Sequence, residues 1–199
     1  MILRRLALAT ALVLGLAAPA RADFEGGFSA YLRGDYATAL GEFRLLAGQG
    51  HAPAQYTLGY MYASGLGVPK RHAEAAKWYR LAAQQGHAKA QVNLGTQYRF
   101  GQGVKQSDAE AVMWYRRAAE QGSAKGQYML GVMYEKGLGV ARDYVRAHMW
   151  YDLAAAQNLG IAGEERNTVA KKMSFAQVAK AEKLAAEWRQ RHRKPEQAQ

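Results

Sequence analysis

The side chains that could carry out chemistry in this chain do not form a recognisable catalytic or metal-binding set. Its histidines are His51, His72, His87, His148 and His192. No two of them have the spacing of zinc ligands on one helix. Cysteine is absent, which excludes a thiolate nucleophile, a disulfide framework and cysteine-ligated zinc or iron–sulfur sites. No serine lies in a nucleophile elbow, and no two carboxylates are spaced as an acid–base pair. The sequence therefore predicts no catalytic residue, no metal site and no cofactor.

Three Gly-x-Gly-Val segments, at 65–68, 101–104 and 137–140, could be taken for phosphate-binding loops. A phosphate loop needs a strand before it, a helix after it, and further glycines or a lysine. Helical patterns flank all three segments instead. We interpret them as turns that join two helices.

The sequence contains a repeat of 36 residues, and the Gly-x-Gly-Val segments recur with the same period. Trp78, Trp114 and Trp150 are 36 residues apart. The same interval relates other residue types, whose first copies are Gly50, Gln55, Leu58, Gly59 and Tyr62. Alanines and aromatic residues around each tryptophan recur at i, i+3, i+4, i+7 and i+8, which is one face of a helix. Each unit thus predicts two helices, and such pairs bury their apolar faces only by stacking.

The pattern changes at both ends of the repeats. Residues 23–50 predict a degenerate helix pair, with Asp35 as an N-cap. Residues 51–160 hold the three units, in which Ser107 and Asp143 are predicted N-caps and Asn158 replaces a C-terminal glycine. Residues 161–194 predict helices that cap the last unit, with Ser174 as N-cap, because solenoids need a polar end. Residues 195–199 predict a flexible tail.

Residues 1–22 have the layout of a secretory signal peptide. Arg4 and Arg5 precede an apolar run, and a small-x-small site ends at Ala22. The apolar run of about thirteen residues is shorter than the roughly twenty that span a bilayer. We therefore expect cleavage after Ala22, a periplasmic or secreted chain and no stable membrane span. An uncleaved membrane anchor is the alternative.

The units read AxAQYxLGxxYxxGxGV and then AxxWYxxAAxxG. This pattern closely resembles the Sel-one-like repeat family, which is related to the tetratricopeptide α-solenoids, over 52–87, 88–123 and 124–159. The segment from Ala147 to Tyr151, with the basic helix after it, is similar to the end of bacterial secreted members. The resemblance implies an all-α, right-handed superhelical solenoid that serves as an adaptor for protein partners. Some members cross-link their helices with disulfides, which this chain lacks.

In tetratricopeptide folds, the first helix of each pair lines the concave surface. Carried over to this chain, that pattern implies a partner-binding groove. Its predicted residues are Tyr56, Tyr60, Lys89, Val92, Thr96, Arg99, Lys125, Tyr128, Val132 and Glu135. Aromatic anchors among basic groups suit an extended or helical segment with some negative charge. The alternative is that these are ordinary solvated positions.

The charge of the chain suggests a second function. Its net charge of +11 falls to +8 without residues 1–22, and residues 161–199 are the most basic part. The sequence predicts a non-catalytic, monomeric interaction scaffold for an unidentified protein. The alternative is a binder of an anionic envelope polymer or membrane surface through the basic C-terminal helix. In the expected compartment, nucleic acid is not predicted as a partner.

Overall fold

A computed structural model describes residues 23–192. The predicted signal peptide, 1–22, and the predicted tail, 195–199, lie outside the described residues. The described residues form ten helices and no strand, which confirms the all-α prediction. The helices are α1 Phe24–Leu32, α2 Tyr36–Gly48, α3 Ala52–Ser64, α4 His72–Gln84, α5 Ala88–Phe100, α6 Asp108–Glu120, α7 Ala124–Lys136, α8 Tyr144–Ala155, α9 Gly160–Ala170 and α10 Phe175–Arg191.

The helices stack in pairs along the chain. We call α1, α3, α5, α7 and α9 the first helices, and α2, α4, α6 and α8 the second helices. Each first helix packs on the second helix that follows it in its own unit and on the one that precedes it, and α9 packs on α8. The first helices α5 and α7 also contact each other directly. The first helices thus lie on one side of the solenoid, and α5 and α7 form a continuous surface there.

Within each unit, a glycine lies against a tyrosine ring. A Cβ added to Gly95 in α5 would lie 2.8 Å from Cε1 of Tyr115 in α6 and 3.3 Å from the carbonyl oxygen of Ala111. Tyr115 is completely buried. The equivalent pairs in the other two units are Gly59 with Tyr79 and Gly131 with Tyr151. Only a residue without a side chain allows the two helices to approach this closely.

Buried glutamines join consecutive units. Gln91 Nε2 in α5 donates to the carbonyl oxygen of Ala83 in α4, at 3.0 Å. Its Oε1 accepts from Nε2 of Gln121, which follows α6, at 2.8 Å. Gln55 and Gln127 make the same two bonds in their own units. Because a buried amide without partners is costly, this ladder fixes each unit against the previous one.

The Gly-x-Gly-Val segments are turns, as predicted. Gly101 ends α5 with a φ of 66°, and Gly103 has a φ of 72°, a region that favours glycine. A Cβ on Gly103 would overlap the backbone of His72 at the start of α4. Each turn therefore packs on the second helix of the preceding unit.

An arginine ladder runs along the second helices until its charge is reversed. Arg44, Arg80 and Arg116 donate to the hydroxyls of Tyr62, Tyr98 and Tyr134, at 3.1, 2.9 and 3.0 Å. The next position in the series is Asp152. Its carboxylate oxygens accept from Arg166 of α9 at 2.9 Å and from Arg189 of α10 at 2.8 Å. The arginine ladder thus joins units, and the acidic residue that ends it binds both C-terminal helices.

The cap covers the last unit from its outer side. Helix α10 packs on α8, where it buries Ala181 and Ala185. The Trp188 ring meets the Trp150 ring edge-on, with centroids 6.2 Å apart. Ser174 begins α10 with a complete capping box, which confirms the predicted N-cap. None of the helices in 23–192 is long and apolar enough to cross a membrane.

The glycine contact gives a stability prediction. Gly95→Ala places a methyl group inside the contact distance of Tyr115, so we expect a loss of about 1–3 kcal/mol in the free energy of unfolding. The control is Gly41→Ala in α2, where a Cβ meets nothing within 4 Å. That variant should be stabilised by about 0.5–1 kcal/mol, because alanine is the better helix former. Urea unfolding followed by circular dichroism measures both, and equal stability of the two variants would contradict the packing argument.

Candidate functional site

The predicted groove residues all lie on the first helices α3, α5 and α7, so they share one surface. We call the exposed and half-buried side chains on this side the first-helix face. Tyr60, Lys89 and Lys125 are exposed. The half-buried members are Tyr56, Thr96, Arg99, Tyr128 and Glu135.

Val92 and Val132 do not lie open on this face. Val92 is 2% exposed and Val132 is 8% exposed, and both belong to the hydrophobic core. The prediction that Val92 lines an accessible groove is therefore wrong. Tyr56 and Tyr128 occupy the same position of the repeat and are half-buried. The shorter side chain of Val92 packs into the hydrophobic core instead. Val132 is buried too, but its remaining surface forms part of a cleft.

This cleft lies between α5, α7 and α9 and has a volume of about 340 Å³. We call it the α5–α7–α9 cleft. Its lining residues are Arg99, Tyr128, Met129, Val132, Glu135, Lys136, Tyr151 and Glu165. Four of these are predicted groove residues. The structure brings Arg99, Tyr128, Val132 and Glu135 together and leaves the other predicted residues outside the cleft.

Sequence reasoning missed Tyr151 and Glu165. Tyr151 belongs to the aromatic residues that recur with the 36-residue period, and its hydroxyl passes Gly131 and reaches the cleft. Glu165 lies in α9, which we treated only as part of the cap. The signal that could have found Glu165 is that α9 continues the row of first helices.

The carboxylate of Glu135 is paired with a cation and a hydroxyl group of the same chain. Its carboxylate accepts from Nζ of Lys172 at 2.9 Å and from the hydroxyl of Tyr151 at 2.9 Å. Burial alone raises the pKa of Glu135, but these two hydrogen bonds outweigh burial and hold the pKa below its usual value. Burial and the adjacent Glu135 charge together raise the pKa of Tyr151. Glu135 is therefore ionised and Tyr151 is neutral at physiological pH.

Arg99 is different, because it forms no ion pair with any carboxylate of residues 23–192. Its guanidinium lies 5.1 Å from the centroid of the Phe100 ring, and Phe100 is 58% exposed. Glu165 also forms no ion pair within the described part of the chain. The cleft thus holds a cation and a carboxylate that make no direct ion pair there, although Glu165 is near enough to Lys172 to raise the pKa of that lysine, after the larger effect of Glu135.

The N-terminal part of the first-helix face is aromatic. Tyr56 stacks on His87 with ring centroids 4.7 Å apart and tilts against Tyr79 at 6.0 Å. Tyr60 is 41% exposed. Burial, followed by the proximity of the Tyr60 phenol, raises the pKa of Tyr31 in α1. Tyr31, Tyr56 and Tyr60 therefore form a cluster of aromatic side chains.

Histidine and serine share the N-cap position of the first helices. His87 Nδ1 accepts the backbone N–H of Ala90 at 3.2 Å, and His51 does the same in α3. Ser123 Oγ accepts the N–H of Gly126 at 3.3 Å. His51 and His87, which have no zinc-ligand spacing in the sequence, therefore cap the first helices. Burial, together with the nearby Lys89, lowers the pKa of His87.

A larger cavity, of about 820 Å³, lies on the other side of the solenoid, where α6, α8 and α10 end. Trp188, Arg189 and Gly122 are among its lining residues. None of the predicted groove residues lies there. Among residues 23–192, no three histidine or carboxylate side chains are grouped to hold a metal ion.

The sequence model of the Sel1 repeat family matches residues 52–87, 88–123 and 124–159. The chain belongs to the Sel1 repeat family. A crystal structure of a Sel1 repeat protein from Oxalobacter formigenes is similar, with 38% identity and a TM-score of 0.69 over 72% of this chain. The matched units are those in which Gly95 and Gln91 recur, so the family pattern and the packing contacts coincide.

A second similar structure is c5321, described as a protective antigen present in uropathogenic Escherichia coli strains and displaying an SLR fold. It is 32% identical, with a TM-score of 0.60 over 84% of this chain. The chain spans 59% of the Oxalobacter protein and 44% of c5321. No curated protein matches the chain significantly.

The capping histidine gives a prediction about pH. Because the pKa of His87 is lowered in the fold, its neutral form stabilises the protein above the usual pKa of about 6.5. That contribution is lost as the pH falls through the lowered value. His87→Ser introduces the cap that Ser123 already provides in α7. Between pH 7.5 and pH 5, the variant should lose about 0.5–1 kcal/mol less stability than the unmodified chain.

Urea unfolding at the two pH values measures this difference. His148, whose pKa is also lowered by burial, is present in both proteins, so its effect cancels. An identical pH dependence of the two proteins would contradict the role of His87 as a titrating cap.

Proposed function

We propose that the chain is a non-catalytic scaffold that binds a segment of a partner protein across the first-helix face. Sel1 repeats are generally scaffolds for protein–protein interaction. The observation that carries the proposal is the α5–α7–α9 cleft, in which Arg99, Tyr128, Val132 and Glu135 lie together.

The side chains that stabilise the fold differ from those that are available to bind a partner. The recurring glycines, tyrosines and glutamines make contacts inside the solenoid. Tyr60, Lys89 and Lys125 stand exposed on the first-helix face, and neither lysine forms an ion pair within residues 23–192. Exposed aromatic rings with basic neighbours are typical of surfaces that anchor and steer a partner. These exposed aromatic and basic groups, which the fold does not need, support the proposal of a binding surface.

We also propose that the chain works in the periplasm or outside the cell. The support is the arginine pair, the apolar run and the cleavage site in residues 1–22. The partner would then be an envelope protein or an extracellular one.

The alternative, an anionic polymer or membrane surface bound through the basic C-terminal helix, receives less support. Arg189 of α10 is engaged by Asp152 at 2.8 Å. Glu182 and Glu187 lie on the same helix among its basic residues, which dilutes the positive field. The described part of α10 is therefore a structural cap of mixed charge.

Charge reversal on the first-helix face tests the proposal. The variant Lys89→Glu/Arg99→Glu/Lys125→Glu should capture its partner from an envelope extract at least about tenfold less strongly than the unmodified chain, because steering and pairing are reversed. The captured protein is identified by mass spectrometry, purified and measured again by isothermal titration calorimetry.

The matched control is Lys105→Glu/Lys180→Glu/Lys183→Glu, which makes the same change of net charge away from the first helices. It should bind as the unmodified chain does. Circular dichroism should show equal helicity in all three proteins. Loss of binding in the control and retention in the first variant would overturn the proposal and favour the C-terminal alternative.

A further inference from the structure

The α5–α7–α9 cleft contains charges of both signs, and some of them are already satisfied. Lys172 and Tyr151 bind the carboxylate of Glu135. Arg99 and Glu165 have no ion-pair partner in the part of the chain that the structure describes. Both side chains are half-buried, so water screens them less than it screens surface charges. A ligand gains most where it supplies the direct ion-pair partner that each of these two groups lacks.

The two charges lie in a fixed order across the solenoid. Arg99 is on α5, the apolar lining residues Met129 and Val132 are on α7, and Glu165 is on α9. A chain that crosses the first helices meets them in that order. Burial is the largest cause of the raised pKa of Tyr128. The charge of Glu165 raises this pKa further and the charge of Arg99 lowers it, so both groups lie near the ring. The cation and the carboxylate are thus close to one aromatic ring.

The size of the cleft limits what it can hold. Its volume of about 340 Å³ is at the lower end of the range for small-ligand sites, about 300–1,000 Å³. It therefore accommodates a few side chains of an extended segment. An extended chain rises about 3.3 Å per residue, so side chains two to four residues apart reach over roughly 7 to 13 Å.

We infer that the α5–α7–α9 cleft binds an extended partner segment in which an acidic and a basic side chain flank an apolar one, two to four residues apart. The acidic group pairs with Arg99, the apolar side chain contacts Val132, and the basic group pairs with Glu165. This inference rests on the proposed function and specifies the chemistry of the partner. It replaces the expectation of a segment with negative charge alone.

Electrostatic specificity supports two charges over one. A purely acidic segment would pair with Arg99 but would bring like charge against Glu165, and such contacts discriminate strongly against a wrong partner. A purely basic segment would meet the opposite penalty at Arg99. Only a segment with both charges in the correct order satisfies both groups.

A peptide selection tests this order directly. The probe is a phage-displayed library of random nonapeptides, selected on the immobilised full chain. Enriched sequences should contain an acidic and a basic residue two to four positions apart, in one preferred order, at least tenfold more often than the unselected library. The variant Arg99→Glu/Glu165→Lys should enrich the reverse order.

Three further variants complete the test. Lys180→Glu, an exposed change on α10, should enrich the same sequences as the unmodified chain. Arg99→Gln and Glu165→Gln, made separately, each replace one charge with a neutral polar side chain, and Glu165→Gln also keeps the size of the side chain. Each should abolish the preference for one charge only. Circular dichroism determines whether the charge-swapped protein folds. If it does not fold, the single variants still test the inference.

The outcomes separate the inference from the function on which it rests. Peptides that bind the unmodified chain and are lost in Lys89→Glu/Arg99→Glu/Lys125→Glu, but show no paired charges, overturn the inference and leave the proposed function standing. Peptides that bind all variants equally, or no enrichment at all, overturn both. An order of charges that does not reverse in Arg99→Glu/Glu165→Lys also overturns the inference.

Discussion

The contact between a glycine backbone and a tyrosine ring sets the geometry on which the rest of this solenoid depends. In the central unit, Gly95 lets α5 approach α6 so closely that a Cβ would lie 2.8 Å from the Tyr115 ring. The same tyrosine extends past the glycine to the first-helix face, where its hydroxyl lies 3.1 Å from Oγ1 of Thr96. In the last unit, Tyr151 reaches Glu135 in the same way. The residue that holds each unit together therefore also supplies a hydroxyl to the candidate site.

A reversal of charge determines how the stack ends. The N-terminal helix pair and the first two units each place an arginine on the second helix, where it donates to a tyrosine of the next unit. Asp152 occupies that position in the last unit and binds Arg166 and Arg189. Burial raises the pKa of Asp152, but the two arginines outweigh burial and lower it, so the carboxylate remains ionised. Because Asp152 fixes α9, it also positions Glu165 beside the cleft, and the cap thereby completes the candidate site.

Periodicity predicted most of the fold because three copies act as an internal alignment. The helix pairs, the turns, the caps at Asp35, Ser107, Asp143 and Ser174, and the left-handed Asn158 are confirmed. The candidate site was harder to predict, since burial at one helix position depends on the neighbouring unit. Val92 is buried for that reason. Glu165 and Lys172 lie outside the repeat, so no period pointed to them. The capping role of His87 also depends on a contact that residue type alone does not specify.

The central claim is that the first-helix face, and no other surface, contacts the partner. Photo-crosslinking in living cells tests it most directly, with a photoreactive amino acid at Tyr60 on this face or at Leu81, which is exposed on the second helix α4. We expect a discrete crosslinked protein from Tyr60 that is absent from Leu81. That product should disappear when Lys89, Arg99 and Lys125 are reversed in charge. Equal crosslinking from both positions, or a product that survives the charge reversal, would show that the partner does not dock on the first-helix face.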